Sequence, residues 1–320
     1  MIRRKLLYLL LCLVLLSISA TTQPNVKASP DTIRVPQDYT TIQEAINQAS
    51  PGDTIQVSAG TYREHLYINK TLTLKGENRE NTVIDGTAAG YVIKSESTTV
   101  DISGFTIING SNGILLENCN GSILKQNIVN GFPQRGIWLH YSNSNIISDN
   151  IVSDNLWRGI VLCGHSSKNT VTCNTIKDNG NGLCMTGEDN ILYHNNFINN
   201  QNQTRMLSSF KNAWDNSYEG NYWSDHNRSE FDRYGICDTP YVIDARNQDN
   251  YPLKSPYILG DVNHDVKVNI IDISTIAIAF GTQLGEEKWN PHADIDENSK
   301  IDILDISTAA KNFGKEWKHP

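Results

Sequence analysis

Gly113-Ile-Leu-Leu-Glu117, Gly136-Ile-Trp-Leu-His140 and Gly159-Ile-Val-Leu-Cys163 are one short phrase written three times, 23 residues apart. Gly90 before them and Gly182 after them fall on the same spacing. A fixed period of this length is the mark of stacked structural units. After each glycine the apolar residues alternate: Tyr91 and Ile93, Ile114 and Leu116, Ile137 and Leu139, Ile160 and Leu162, Leu183 and Met185. Period two is the period of a β-strand, with one set of side chains aimed at a common interior. A second marker precedes the later glycines by about nine residues: Asn127-Ile-Val129, Asn150-Ile-Val152 and Asn174-Thr-Ile176. Stacked asparagines can both donate and accept along the axis of a coil, so an Asn ladder is expected at one corner. A rung of about 23 residues holds three short strands and three turns. The fold expected is all-β, a right-handed parallel β-helix, with a small α-helical domain after it.

Upstream, Thr41-Ile-Gln-Glu44 forms a capping box ahead of Ile42, Ala45, Ile46 and Ala49 at helical spacing, and Pro51-Gly-Asp53 ends that helix. Short strands are expected at 54–57, 65–68 and 71–74. An amphipathic helix in this position would cover the first rung of a coil whose end is otherwise open to edge pairing. Val35-Pro-Gln-Asp-Tyr39, Thr41-Ile-Gln-Glu-Ala-Ile46, Gly60-Thr-Tyr62 and Leu74-Lys-Gly76, leading to Thr82-Val-Ile-Asp-Gly86, resemble the opening of pectin methylesterases and of NosD-type β-helix proteins. Downstream, Asn212-Ala-Trp-Asp-Asn216, Gly220-Asn-Tyr-Trp-Ser-Asp225, Asp238-Thr-Pro-Tyr241 and Tyr251-Pro-Leu253 resemble the closing segment of the NosD type. The resemblance spans residues 31–254, with the closing segment at 212–254. It implies the fold and leaves activity open. One departure is the stretch with Glu230, Asp232, Arg233, Tyr234, Gly235 and Cys237, which lacks the family's glycine- and aspartate-rich loop.

Residues 255–260 read as a linker, and 261–320 as a second domain built from a duplicated unit. Asp261 to Gly281 and Asp294 to Gly314 align at an offset of 33, sharing Asp-Ile-Ser-Thr and then Phe-Gly. The first unit offers Asp261, Asn263, Asp265, Asn269 and Asp272; the second offers Asp294, Asp296, Asn298, Asp302 and Asp305. These are positions 1, 3, 5, 9 and 12 of a calcium loop, with the carbonyls of Lys267 and Lys300 at position 7. Two Ca²⁺ ions are the cofactors expected. Val266 at position 6 would be strained at positive φ, which marks the first loop as the weaker. Asp at position 12 and the missing entering helix resemble dockerin modules. That resemblance implies a cohesin-type protein partner, chosen in part by the apolar pairs Ile270-Ile271 and Ile303-Leu304.

Charge and composition narrow the function further. The chain is 19% charged and 38% hydrophobic, with a formal net charge of −8, which argues against nucleic acid as partner. Residues 1–28 have the basic start, apolar core and small-residue end of a secretory signal, and no later stretch is long and apolar enough to span a bilayer. A secreted or cell-surface location is expected. Five cysteines remain after the signal, and the sequons at Asn69, Asn109, Asn120, Asn202 and Asn227 fit that location. Trp138, Tyr141 and Trp157 are candidates for stacking on sugar rings. The central motifs of a pectin methylesterase are absent. A lyase would have to draw on Arg135, Arg158 and Lys168 with Asp149, Asp154 and Asp178. His140 and Cys163, one rung apart, are the most that a copper or zinc reading can offer. The expected role is polysaccharide or glycoprotein binding, with a polysaccharide lyase or glycoside hydrolase as the alternative and a copper-related accessory role behind both.

Overall fold

The structure is a computed structural model and describes residues 31–226 and 230–318. The signal segment and the sequon at Asn227 lie outside the described residues.

Three parallel sheets run along a coil. The first contains eight strands, from Thr32–Val35 through Leu72–Gly76 and Ile146–Ser148 to Ile191–Tyr193; the second contains eight, from Gly60–Tyr62 through Ile128–Asn130 to Tyr222–Trp223. The third contains seven: Leu66–Ile68, Tyr91–Glu96, Asn112–Glu117, Arg135–His140, Arg158–Cys163, Asn181–Met185 and Asn202–Met206. Each sheet contributes inward residues that stack like on like. In the first, Ile55, Leu74, Ile102, Leu124, Ile147, Val171 and Leu192 are in register and fully buried. In the third, Ile93, Ile114, Ile137, Ile160 and Leu183 do the same. Burying such a side chain is worth about 1.5 to 3 kcal/mol, so the columns are the main source of stability.

The period is less regular than the glycines suggest. Ile93 pairs with Ile114, Ile114 with Ile137, Ile137 with Ile160, Ile160 with Leu183, and Leu183 with Thr204. Only the middle three intervals are 23 residues, and the flanking two are 21. Gly90 therefore stands out of the column: Ile93 is level with Ile114, which sets Val92 level with Gly113. Gly90 instead makes a turn with φ +58. Gly113, Gly136, Gly159 and Gly182 do stack, and for a different reason. A Cβ on Gly136 would sit 2.9 Å from the Gly159 carbonyl, and one on Gly159 would sit 2.6 Å from that of Gly182. The rungs pack backbone to backbone here, with no room for a methyl group.

The corners carry three Asn ladders where the sequence pointed to one. Asn127, Asn150, Asn174, Asn195 and Asn221 form the expected ladder; Asn145, Asn169, Asn190, Asn212 and Asn247 form a second, and Asn155, Asn179 and Asn200 a third. In each the Oδ1 of one rung accepts the backbone N–H of the rung before, satisfying turn groups that water cannot reach.

Both ends of the coil are covered. The helix Ile42–Gln48 buries Ile42, Ala45 and Ile46. Thr41 Oγ1 accepts from the Glu44 N–H, while Glu64 supplies the rest of the cap by accepting from the Ile42 and Gln43 N–H groups. At the other end Phe197, Trp223 and Tyr241 stack at 4.3 and 4.1 Å over the last rung. Beyond it, helices Ile270–Ala279 and Ile303–Lys311 pack around a small core of Val262, Ile276, Ala279, Ala293, Ile301 and Ala309.

Candidate functional site

The two acidic loops repeat one another bond for bond. In the first, Asp261 accepts from the N–H groups of Asp265 and Val266, and Asp272 from those of Val262 and Asn269. In the second, Asp294 accepts from Asn298 and Ser299, and Asp305 from Ile295 and Asp302. Asn269 and Asp302 cap the two C-terminal helices, accepting from Ile271 and Leu304. Position 6 has the left-handed backbone expected of it, with φ 70° at Val266 and 68° at Ser299. The oxygens of Asp294, Asp296 and Asp305 lie within 4.8 Å of one another, and such an Asp cluster could hold a metal ion. Burial pushes the Asp261 carboxyl up to about 7 and that of Asp294 up to about 6, with neighbouring aspartates adding to it. Crowded, half-hidden carboxylates of this kind suit a hard, oxygen-seeking cation. Asp265, Asn298 and the backbone of Lys267 and Lys300 lie in the same loops, where Asp265 and Asn298 close short turns to Lys267 and Lys300.

The outer face of the third sheet holds the aromatic candidates. The Arg135 guanidinium lies 4.2 Å from the Trp138 ring and 4.5 Å from the Trp157 ring, and that of Arg158 lies 3.9 Å from Trp157. Tyr91 flanks Trp138 on one side, and His140 then Tyr141 continue the band on the other. The three sequence candidates thus share one surface, Trp138 and Trp157 joined through Arg135 and Tyr141 through His140. In the same sheet Leu115, Val161 and Cys184, register neighbours of these residues, are buried. Of the lyase set, Asp149 lies beside Arg79, Asp154 beside Asn130 and Asp178 beside Lys177.

The two candidates behind the copper reading do not converge on each other. Cys163 Sγ accepts from Trp138 Nε1 at 2.8 Å, and His140 Nδ1 faces Glu117 at 3.4 Å. Among the described residues, the group of histidine, cysteine or acidic side chains whose ligand atoms all lie within 4.8 Å of one another is the aspartate cluster above. Oxygen donors of that kind suit a hard cation such as Mg²⁺, Ca²⁺ or Mn²⁺ better than copper.

A third cluster escaped sequence reading. Glu219, buried beyond the last rung, meets His194 Nε2 at 2.6 Å and His292 Nδ1 at 2.5 Å, with His264 Nε2 at 3.7 Å. Tyr257, from residues 255–260, stacks on His194 at 4.1 Å. Burial alone would lower the His194 pKa, but hydrogen bonds to Cys173 and Glu219 outweigh it and carry the imidazole up to about 10. Glu219 is held well below the usual carboxylate range: burial opposes this, and the three histidines override it. His264 and Glu297 both occupy position 4 of their loops; Glu297 accepts from Tyr193 Oη at 2.7 Å and from Asn216. A cavity of about 210 Å³ lies at this junction, with Asp261 and Asp294 in its wall. The available signal was the pair of polar residues at a position that binds no metal.

With that geometry in hand, comparison with known proteins gives the family. The model described as "Periplasmic copper-binding protein (NosD)" matches residues 25–228. A cell surface glycoprotein of Methanothermus fervidus is 33% identical over 195 residues, covering 55% of this chain and 31% of that one. A probable ABC transporter binding protein NosD of Pseudomonas aeruginosa is 33% identical over 75 residues, covering 23% and 18%. The chain thus spans less than a third of the length of these relatives. Among solved structures, an alginate lyase from Paenibacillus sp. aligns with 61% of this chain and 98% of its own at 13% identity and TM-score 0.35. A pectin methylesterase variant in complex with a hexasaccharide aligns with 55% and 80% at 13% identity and TM-score 0.38. Scores this low carry no argument about activity. No described helix is long and apolar enough to cross a membrane. The likeness to a cell surface glycoprotein and the periplasmic family place the chain as a secreted or cell-surface protein. Matched over well more than half of its length, this chain belongs to the NosD family.

Proposed function

We propose that the chain binds polysaccharide or glycoprotein on the outer face of its third sheet and is attached to a protein partner through a calcium-dependent, dockerin-like module. The observation that carries the first part is the shared surface of Trp138, Trp157 and Tyr141, with Trp157 40% and Tyr141 51% exposed. Large exposed aromatics on a rigid sheet suit the apolar faces of sugar rings. The second part rests on the two matching loops and on the apolar pair that opens the helix after each. Ile270 and Ile303 are both 63% exposed, and Ile271 and Leu304 both 55%. Identical exposure of two apolar pairs, related by the internal repeat, supports a partner of cohesin type.

The test is a polysaccharide panel incubated with the full chain in calcium, read for binding and for released product. Binding without turnover supports the proposal; unsaturated or reducing-end product would replace it with a polysaccharide lyase or glycoside hydrolase. Calcium titration should show two ions bound, and Asp294→Ala or Asp305→Ala should remove one of them. Unchanged binding in both variants would refute the second-loop assignment.

A further inference from the structure

The same surface carries a charge arrangement that narrows its ligand. Arg135 and Arg158 are register partners on adjacent strands, so the two cations start from positions only about 4.8 Å apart. Burial and the Arg158 charge both lower the Arg135 pKa, a sign that the pair is held close against repulsion. Among the described residues neither guanidinium has a carboxylate partner. Arg135 donates to Asn112 Oδ1 and Gln134 Oε1, both long at 3.4 Å. The Nε groups of Arg135 and Arg158 are both buried without any hydrogen-bond partner. Leaving such donors unsatisfied is costly in a folded chain.

The neighbouring acids do not neutralise the pair. Glu96 and Glu117 are taken by Lys94, and Glu117 also faces His140. Guanidiniums lie over the indoles: Trp138 carries one and Trp157 two. A guanidinium stacked on a ring is fixed in direction, and its terminal N–H groups, held here only by long bonds to neutral amides, suit a carboxylate or sulfate. What an incoming chain meets is therefore fixed cationic edges backed by aromatic rings.

We propose that this face selects acidic polysaccharide, its carboxylate or sulfate groups bridging Arg135 and Arg158, an inference that rests on the glycan-binding reading above.

The test measures retention of the full chain on polygalacturonate, dextran sulfate and neutral dextran, at low and high salt, beside the Arg135→Gln/Arg158→Gln and Arg135→Lys/Arg158→Lys double variants. Expected is binding to one or both acidic polymers and not to dextran, weakened by salt. The Gln variant should lose about tenfold or more in affinity, and the Lys variant, which keeps charge but not the fork, should fall between. Thermal melting of both variants checks that the fold persists. Equal binding to dextran, or acidic binding unchanged in the Gln variant, overturns this inference and leaves glycan binding standing. Failure to bind any of the three polymers, in a panel where no other glycan binds, removes both.

Discussion

Replacing Asn150 by alanine should be among the most damaging single changes in the β-helix. Asn150 is 1% exposed and its side chain makes four hydrogen bonds. Its Oδ1 accepts from the backbone N–H of Asn127 at 3.0 Å and from Asn127 Nδ2 at 3.2 Å. Its Nδ2 donates to the Leu124 carbonyl at 2.8 Å and to Asn174 Oδ1 at 3.0 Å. Truncation leaves the Asn127 N–H without that acceptor and the Leu124 carbonyl without that donor, while Asn127 Nδ2 and Asn174 Oδ1 each keep another partner. At about 1 to 3 kcal/mol for each buried group left unmatched, the cost is about 2 to 6 kcal/mol. That is a large part of the 5 to 15 kcal/mol by which a folded domain usually outweighs its unfolded state. Asn150→Asp separates this account from a simple packing effect. The shape is kept, yet an acceptor oxygen now faces the Leu124 carbonyl and Asn174 Oδ1. The buried carboxyl of this variant should titrate above its unfolded value, so its stability is greatest below the ordinary Asp pKa and falls as pH rises through the folded one. Urea unfolding of both variants at pH 5 and pH 8 is the assay. A cost below about 1 kcal/mol for Asn150→Ala, or an Asn150→Asp variant no less stable at pH 8 than at pH 5 relative to the parent, would refute the ladder as a bearer of stability.

Gly136→Ala places a methyl group 2.9 Å from the Gly159 carbonyl, Asn155 Nδ2 and Val152 Cγ1, and should cost about 1 to 3 kcal/mol as overpacking. Gly131→Ala, where nothing lies within 4 Å but φ is +78, should cost only about 1 to 2 kcal/mol; denaturant midpoints in the opposite order would count against close rung packing. Val266→Gly removes a β-branched residue from φ 70° and should strengthen calcium binding at the first loop by about 1 kcal/mol, which calorimetry reads as a tighter first site. Glu219→Gln leaves the buried His194 charge unmatched and should lower stability by about 3 to 5 kcal/mol at neutral pH. His194 is raised to about 10, so its contribution is complete below its unfolded value near 6.5 and is lost as pH climbs through 10. Glu219 is lowered, so its own contribution is lost only on the acid side. Melting temperature should therefore drop for the parent above about pH 9 and much less for Glu219→Gln; parallel curves would sink the assignment.

The parts of the structure that were legible in sequence are those where one side chain reports one local demand. Apolar alternation gave the inward columns, because a strand has only two faces. The paired loops were legible as a repeated turn because the spacing of their side chains is fixed by the turn itself, and the positive φ at Val266 came from the same geometry. Gly90 misled, since a glycine is used both where rungs touch and where a turn needs left-handed backbone, and the letter does not say which. The second and third Asn ladders were missed because their members, among them Asn145 with Asn169 and Asn155 with Asn179, sit in turns already crowded with asparagine. Trp138 and Trp157 could be named from sequence, but their partnership through Arg135 depends on side chains crossing between rungs. The Glu219 cluster was least accessible: its histidines come from positions 194, 264 and 292, brought together only by the docking of the last segment.

That docking gives the acidic loops a second consequence. In a calcium loop position 4 supplies no ligand, so its side chain is free to serve another contact. Here both position 4 residues turn back to the β-helix, His264 toward Glu219 and Glu297 to Tyr193 and Asn216. Both stand at positive φ, 51° and 57°, a backbone state that the neighbouring turn bonds from Asp261 and Asp294 hold in place. Filling the loops with calcium would fix those same turns, and with them the side chains that grip the end of the coil. The apolar pairs Ile270-Ile271 and Ile303-Leu304 start the helices beyond, with more than half of each residue's surface exposed. One set of loops thus faces two ways, holding the β-helix through position 4 and presenting the exposed pairs just before position 12. The proposed glycan face and the proposed docking pairs would then be linked through these position 4 contacts.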